Sequence, residues 1–393
     1  MGFYVIYMDE STFILQHRYD DVKALALQGH RYPGIDMPYV LDQISGWQIA
    51  LNKLPAWAKV EGLVYPHHLS LEQCSSEKTA LYKSSLIKGE SLVDLTGGFG
   101  VDCYFLSQNF NHSTYVERQA CLCEIAKENY SRLGSNINVV NADFDEFIST
   151  MKHVDWIFMD PARRDSNGGK VVAIADCEPD VISNLPVLFD KADHILLKLS
   201  PMLDLKRAIT DLNDCVEQAH IVSVDNECKE LLLVVGRNKV DNVSISCVNI
   251  RKGMTQTFHF TFQEEVSAKS IYTDKVETYL YEPNVSLLKA GCFRILGQQF
   301  GLKKLHPNSH LYTSDLYIEN FPGRIFEVQK CIGFSKKELK EGLKGIEKAN
   351  LTIRNFPSTV DSLRKRLKIK EGGNLYMFAT TLLNDKKVLL LCK

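Results

Sequence analysis

The chain has 393 residues, of which 45% are hydrophobic and 24% charged, and its formal net charge is −2 at pH 7. This composition is typical of an ordinary globular protein, and no apolar run reaches the ~18 residues that a membrane-spanning helix needs. The 11 cysteines are scattered without a C-x-x-C pair, which indicates reduced thiols in a cytoplasmic protein and argues against disulfides and a zinc site.

The N-terminal part of the chain is predicted to be helical, and a strand-rich region follows it. Within residues 9–85, stretches such as FILQHRYDDVKALAL place apolar side chains at helical intervals. Between Ser91 and Arg237, short β-rich runs alternate with helical stretches, one of which ends at the glycine stop Gly134. The β-rich runs are SLVDLT, HSTYVE, NVVNAD, VDWIFMD and HILLKLS. Such alternation predicts a parallel sheet with crossover helices.

Smaller elements follow this alternating region. HIVSVDNECKELLLVVGR predicts two strands around a turn, and VSISCVNIRKGMTQTFHFTFQ predicts a second hairpin. From Pro283 the pattern restarts with one helix over NVSLLKAGCFRILGQQF, followed by strands and a small βαβ-type domain. The predicted fold class is therefore α/β, with a helical segment before the main sheet and a smaller α/β region after it.

A glycine-rich turn follows the first predicted strand. In SLVDLTGGFGVD the acid Asp94 precedes three glycines within four residues. Glycines at such a position let backbone N–H groups approach a ligand at the N-terminus of the next helix. A P-loop would need Gly-Lys-Ser/Thr at its end, and a dinucleotide fingerprint would need a glycine in place of Cys103. Because Asp94 would repel a pyrophosphate, the turn favours a cationic ligand.

Acids also follow the next three predicted strands. Glu117 ends YVE, Asp143 lies in NADF, and Asp160 lies in MDPARR. Ligands of open α/β sheets bind outside the carboxyl ends of the strands, so these acids should lie at one edge. At these four positions the sequence resembles class I S-adenosylmethionine-dependent methyltransferases, whose cofactor carries a sulfonium and an ammonium group.

The resemblance implies S-adenosylmethionine as the cofactor and gives each acid a role. Glu117 would bind the ribose diol, Asp143 would accept from the adenine amino group, and Asp160-Pro161 would lie next to the reacting methyl group. The implied cofactor-binding residues are Asp94, Thr96, Gly97, Gly98, Gly100, Glu117, Asp143 and Phe144.

Asp160 is the residue expected to act on the methyl acceptor. It could accept a hydrogen bond from a base N–H and leave the nitrogen lone pair facing the methyl group, or it could simply cap a strand end. Amino methyltransferases often have Asp-Pro-Pro and an aromatic residue, whereas Ala-Arg follows Pro161 here. DPxR also occurs in RNA enzymes that methylate carbon through a cysteine, and Cys177 is a nearby thiol, so the acceptor atom stays open. The predicted catalytic residues are Asp160, Pro161 and Arg163.

Stretches over nearly the whole length resemble a single family. They are LPAWAKVEGLVYPHHLSLEQCSSEKTALYKSSLI, DLTGGFGVD, DPARRD, YEPNVSLLKAG, LHPNSHLYTSD, FPGRIFEV and ANLTIRNFP. On these stretches the chain resembles the bacterial, Bacteroidetes-type methyltransferases with a C-terminal THUMP-like domain. THUMP domains accompany enzymes that modify tRNA and other RNA, so RNA is the implied substrate.

The resemblance and the predicted elements together divide the chain into four regions. Residues 1–85 form the N-terminal helical segment and residues 86–240 the Rossmann-like methyltransferase domain. Residues 241–320 form a β-hairpin and a small ferredoxin-like domain, and residues 321–393 form the THUMP-like domain. The expected function is methylation of a base in tRNA or rRNA, without a metal. The alternatives are methylation of a protein or small molecule, and a non-catalytic RNA-binding protein with a relic cofactor pocket.

The C-terminal end is basic. Residues 321–393 contain 16 Lys and Arg against 7 Asp and Glu, whereas residues 1–320 contain 30 against 41. This asymmetry indicates a polyanionic partner and supports RNA, whose phosphates the basic residues would neutralise. The predicted RNA-binding residues are Arg354, Arg364, Lys365 and Arg366. Near the active site, Arg163 and Arg164 would pair either with a phosphate or with surface acids.

Overall fold

The computed structural model describes residues 9–163 and 174–393, except for the side chain of Arg163. The chain divides into two compact units. The first comprises Met1–Val216 with Leu232–Lys239, and the second comprises Glu217–Leu231 with Val240–Lys393. None of the helices in these described ranges is both long enough and apolar enough to cross a membrane.

The described residues form short helices and strands throughout. The helices are α1 (Glu10–His17), α2 (Val22–Leu27), α3 (Met37–Lys53), α4 (His68–Gln73), α5 (Glu77–Ser84), α6 (Val101–Ser107), α7 (Ala120–Arg132), α8 (Phe144–Thr150), α9 (Val181–Lys191), α10 (Leu205–Asp211), α11 (Phe262–Ser267), α12 (Val285–Ala290), α13 (Phe293–Gln299), α14 (Lys336–Gly342) and α15 (Val360–Leu367), with 3₁₀ helices at Gly29–Arg31, Trp57–Lys59 and Ile174–Asp176. The strands are β1 (Gly89–Asp94), β2 (Phe110–Glu117), β3 (Asn138–Asn141), β4 (Val154–Met159), β5 (Ala162–Arg163), β6 (Cys177–Glu178), β7 (Ala192–Leu199), β8 (Val216–Val224), β9 (Glu227–Gly236), β10 (Ser244–Arg251), β11 (Met254–Phe260), β12 (Ile271–Tyr272), β13 (Tyr279–Pro283), β14 (Lys303–Lys304), β15 (Tyr312–Ser314), β16 (Gly323–Gly333), β17 (Asn350–Arg354), β18 (Tyr376–Thr381) and β19 (Lys387–Cys392).

A parallel sheet forms the centre of the first unit. Its strands lie in the order β7-β4-β1-β2-β3, and all of these neighbours pair in parallel. The five β-rich runs predicted between Ser91 and Arg237 are these five strands. Since parallel strands carry helices on both faces, they are apolar on both faces, as the buried Ile157, Phe158 and Met159 of β4 are. The carboxyl ends of the strands therefore meet at one edge.

The N-terminal helices build two apolar clusters of their own. Phe13, Leu25, Val40 and Ile44 join α1, α2 and α3. Trp57 is fully buried in a second cluster that contains Phe99 of the glycine-rich turn and Val101 and Phe105 of α6. Short acidic or hydroxyl side chains cap these helices, as when Asp21 accepts from the Ala24 N–H. The helical N-terminal segment predicted from the sequence is therefore confirmed, and it packs beside the glycine-rich turn.

The second unit contains two groups of strands. β10 pairs with β11 in the predicted antiparallel hairpin and with β8 in parallel. An eight-stranded sheet has the order β12-β14-β15-β13-β16-β19-β18-β17. One of its apolar clusters contains Leu280, Phe326, Phe378 and Leu390. The predicted α/β class, with a smaller α/β region after the main sheet, is confirmed.

The single helix predicted over NVSLLKAGCFRILGQQF is wrong in one respect. The structure has two helices there, α12 and α13, and Gly291 ends α12 with a left-handed backbone at φ 75°. A residue in this conformation cannot continue a right-handed helix, which is why glycine is favoured at such helix ends. The apolar periodicity alone did not reveal this interruption.

Candidate active site

The glycine-rich turn joins β1 to α6. Asp94, the last residue of β1, is almost fully buried, and its Oδ1 accepts a hydrogen bond from the Thr96 N–H at 2.9 Å. Burial, together with the nearby acids Asp102, Asp160 and Glu117, raises the pKa of Asp94 well above its usual value. A carboxyl group in this state ionises readily only when a positive charge comes close, which fits the cationic ligand expected from the sequence.

The glycines of the turn are required for different physical reasons. A Cβ on Gly97 would overlap the ring of Tyr115, and one on Gly100 would overlap the hydroxyl of Tyr130. A Cβ on Gly98 would meet only the Thr96 carbonyl oxygen, at 3.9 Å. Gly98 has φ 54°, in the left-handed region that favours glycine, so its conformation requires glycine although the space beside it is open. The structure thus leaves open space beside Gly98, within four residues of the buried Asp94.

Glu117, at the end of β2, is tied to this turn. Its Oε2 accepts from the Gly98 N–H at 3.0 Å, and its Oε1 accepts from the Gln119 N–H at 2.9 Å. The side chain is half-buried. Because each carboxylate oxygen accepts more than one hydrogen bond, these contacts hold Glu117 in place and still leave acceptor capacity for a hydroxyl group.

Asp143 and Phe144 lie beyond the end of β3. Asp143 is the N-cap of α8, and its Oδ1 accepts from the Glu146 N–H at 2.9 Å. Asp143 is exposed and Phe144 is half-buried. The sequence pattern gave Asp143 a ligand-binding role only, whereas the structure also gives it this capping role.

The end of β4 is hydrogen-bonded to the glycine-rich turn. The Asp160 N–H donates to Thr96 Oγ1 at 2.6 Å, and the Thr96 N–H donates to Asp94. Asp94 and Asp160 come from neighbouring strands, since Asp94 pairs with Phe158 in the β1–β4 register. Three of the predicted residues therefore form one connected group at the carboxyl edge of the sheet.

Two lysines that the sequence analysis did not predict complete this group. Lys198 of β7 forms an ion pair with Asp160 Oδ2 and lies 3.5 Å from Asp102 Oδ2. Lys83 of α5, which is fully buried, lies 3.2 Å from Asp102 Oδ1. Burial opposes the charge of Asp102, but the two ammonium groups outweigh it and lower the pKa of this carboxyl group. The detectable signal was a lysine inside the otherwise apolar run HILLKLS.

The residues after Asp160 lead into β5. Pro161 is buried, and β5 pairs antiparallel with β6, which places Arg163 opposite Cys177. Cys177 is only 4% exposed. The side chain of Arg163 and the whole of Arg164 lie outside the described residues.

One solved structure is similar over the entire chain. It is a crystal structure of a protein from Porphyromonas gingivalis W83, provisionally named a methyltransferase, and it has a TM-score of 0.88. The sequences are 38% identical, and the match covers 98% of this chain and 97% of that one. The chain belongs to the same family. This is the bacterial class I methyltransferase family with a C-terminal THUMP-like domain, which the sequence stretches already indicated.

The family match is supported at the C-terminal end of the chain. Residues 279–322 match a ferredoxin-like domain family, and residues 323–393 match a THUMP domain-like family. Both regions lie in the second unit. The predicted ferredoxin-like and THUMP-like regions are therefore present in this member of the family.

More distant structures share parts of the fold only. M. capricolum TrmK with S-adenosylhomocysteine is 13% identical with a TM-score of 0.32, over 40% of this chain and 68% of that chain. The Pyrococcus abyssi tRNA (uracil-54, C5)-methyltransferase is 14% identical with a TM-score of 0.30, over 45% of this chain and 40% of that chain. These similarities are too low to carry an argument about function. No curated protein matches the sequence.

In the THUMP-like domain, the predicted RNA-binding residues differ in solvent exposure and in the contacts that they already make. The Arg354 Nη2 lies 2.8 Å from Oε1 of the buried Glu282. Arg364 donates to the Ala349 carbonyl, and its side chain is only 16% exposed. Lys365 and Arg366 are exposed on α15. The two exposed residues are therefore the better candidates for contact with a polyanion.

Proposed function

We propose that this family member is an S-adenosylmethionine-dependent methyltransferase that methylates a base in RNA, either tRNA or rRNA. The observation that carries the proposal is the connected group at the carboxyl edge of the sheet. There the buried Asp94, the open turn at Gly98 and the strand-end acid Asp160 lie together. The THUMP-like end and its basic charge support RNA as the substrate.

The residues of the first unit fit the chemistry of this cofactor. A buried carboxyl group with a raised pKa provides a partner for a cation, and the space beside Gly98 is open for a ligand. Glu117 would accept hydrogen bonds from a ribose diol, and Asp143 with Phe144 would meet the adenine. When bound, the cofactor would supply a methyl group activated by its sulfonium.

Asp160 and Pro161 would orient the methyl acceptor. The Asp160 N–H is fixed by Thr96 and its Oδ2 by Lys198, which leaves Oδ1 to accept a hydrogen bond from a base N–H. A nitrogen held in this way keeps its lone pair directed at the methyl group. Cys177 is buried, so the structure gives no support to a thiol nucleophile at this position. We therefore favour a nitrogen acceptor.

The experiment that tests the proposal identifies the product. Nucleosides from tRNA and rRNA of a deletion strain should lack one base-methylated nucleoside that the parent strain contains, as measured by mass spectrometry. Purified protein with S-adenosylmethionine should restore it on RNA from the deletion strain. Methylation of a protein or small molecule with intact nucleosides would exclude RNA as the substrate. Tight RNA binding without any methyl transfer would instead favour the relic cofactor pocket.

A further inference from the structure

Lys198 occupies an unusual place for a lysine. It lies near the end of β7, between the buried Leu197 and Leu199, and its side chain is only 11% exposed. In the register of β4 and β7, Met159 pairs with Leu197, so Lys198 is next in register to Asp160. Burying an ammonium group is costly unless it is paired, and Asp102 and Asp160, which pair with Lys198, belong to the candidate active site.

The pairing is asymmetric between the two acids. Asp160 is the closer partner, and its side chain is 39% exposed, whereas Asp102 is 3.5 Å from the ammonium group and almost fully enclosed. Asp102 is itself fixed from the other side, because Lys83 lies 3.2 Å from Oδ1 and the Ser75 hydroxyl donates to Oδ2 at 2.7 Å. Asp102 therefore fixes the position of Lys198, and Lys198 in turn fixes the more exposed Asp160.

We infer that Lys198 is a positioning residue, which fixes the Asp160 carboxylate so that its free oxygen can receive the methyl acceptor. The inference rests on the proposed function, since it assigns Asp160 the role of holding the acceptor. Two contacts hold Asp160 directly, since its N–H donates to Thr96 and its Oδ2 pairs with Lys198. A further contact, with Asp102, holds Lys198 itself. Within the described ranges, no residue donates to Oδ1, which remains available for substrate.

The consequence is kinetic. A group that orients a reacting atom must be held to within a fraction of an ångström, and a displacement of about 1 Å can cost about 100-fold in rate. The Lys198 side chain is much less exposed than that of Asp160, and its role does not require contact with the cofactor or RNA. Its loss should therefore reduce kcat and leave the affinity for either ligand nearly unchanged.

The test compares Lys198→Met and Lys198→Arg with Lys152→Met, which removes an exposed charge from the same unit. Lys198→Met should lower kcat about 10- to 100-fold on RNA, with the KM for RNA and the affinity for S-adenosylhomocysteine within about threefold of the wild type. Lys198→Arg should restore part of kcat because it keeps the charge, and Lys152→Met should change nothing. In an Asp160→Asn background, the further change Lys198→Met should have little additional effect, because both act through one carboxylate.

Crystal structures with S-adenosylhomocysteine provide a readout that does not depend on turnover. The Asp160 carboxylate should leave its position in Lys198→Met and keep it in Lys198→Arg. An undisplaced Asp160, or a full loss from Lys198→Met on top of Asp160→Asn, would overturn the inference. If the wild type methylates no RNA at all, the proposed function fails, whereas the position of Asp160 in these structures still decides the role of Lys198.

Discussion

The substitution Gly98→Ala distinguishes an effect on cofactor affinity from an effect on the stability of the fold. Alanine at φ 54° should lower the free energy of unfolding by roughly 1 kcal/mol, the cost of a left-handed backbone for a residue with a Cβ. Among the described residues, apart from its neighbours in the chain, the new methyl group would meet only the Thr96 oxygen within 4 Å, at 3.9 Å. It would fill the open space where we expect the ligand. Overpacking by a methyl group costs about 1–3 kcal/mol, which corresponds to a loss of affinity of about 5- to 150-fold.

The control is Gly134→Ala, at the end of α7. Gly134 has φ 68°, and a Cβ there would meet nothing within 4 Å, so the backbone cost is matched and the site is untouched. Chemical denaturation should show similar losses of stability in the two variants. Calorimetry with S-adenosylhomocysteine should show weaker binding in Gly98→Ala alone. Equal affinity in both variants would refute the interpretation of this turn as the cofactor cradle.

Three other perturbations test separate parts of the structure. Asp94→Asn should abolish binding of S-adenosylhomocysteine. Because the pKa of Asp94 is raised in the folded protein, ionisation of this acid destabilises the wild type as the pH increases. In thermal melts the variant should therefore gain stability relative to the wild type between pH 4 and pH 8, and a constant difference would contradict the burial argument. Glu282→Gln should destabilise the second unit by about 2 kcal/mol, as measured by denaturant unfolding, and leave the cofactor affinity unchanged. The loss should be smaller than for a fully buried ion pair because the arginine partners of Glu282 are about one-third exposed. A variant as stable as the wild type would show that these ion pairs contribute nothing to stability. Changing Lys365 and Arg366 together to Gln should reduce the slope of log RNA affinity against log salt concentration by about 1.4 for single-stranded RNA. Arg364→Gln should instead chiefly lower stability, because this side chain is mostly buried. An unaltered slope would mean that α15 is only a solvated surface.

The sheet could be predicted because its signals are local. Five β-rich runs, each ending in or just before a polar residue, became five parallel strands, since burial on both faces makes such strands continuously apolar. The break between α12 and α13 was missed for the opposite reason. Apolar periodicity continues across Gly291, and only the backbone conformation of that residue ends the helix.

The lysines of the candidate site could not be predicted from local patterns. Lys198 is 38 residues from Asp160 along the chain, and the two meet only because β7 pairs with β4. Lys78 and Lys83 both lie on α5, yet Lys78 is exposed and Lys83 is fully buried, a difference that the local sequence does not reveal. Such charges become recognisable when the sheet order is known, since a buried lysine then needs a partner at the same edge.

If the glycine-rich turn binds the cofactor as we propose, fewer of its glycines should touch the ligand than the motif contains. Gly97 is required by the Tyr115 ring and Gly100 by the Tyr130 hydroxyl, and both of these aromatic residues are buried on the protein side of the turn. Only Gly98 has open space beside it. Substitution of the outer glycines should therefore lower stability and cofactor affinity together, because the turn itself would be displaced. Substitution of Gly98 should weaken binding by more than the backbone cost that it shares with Gly134→Ala explains, and that excess is what would assign the open space to a ligand.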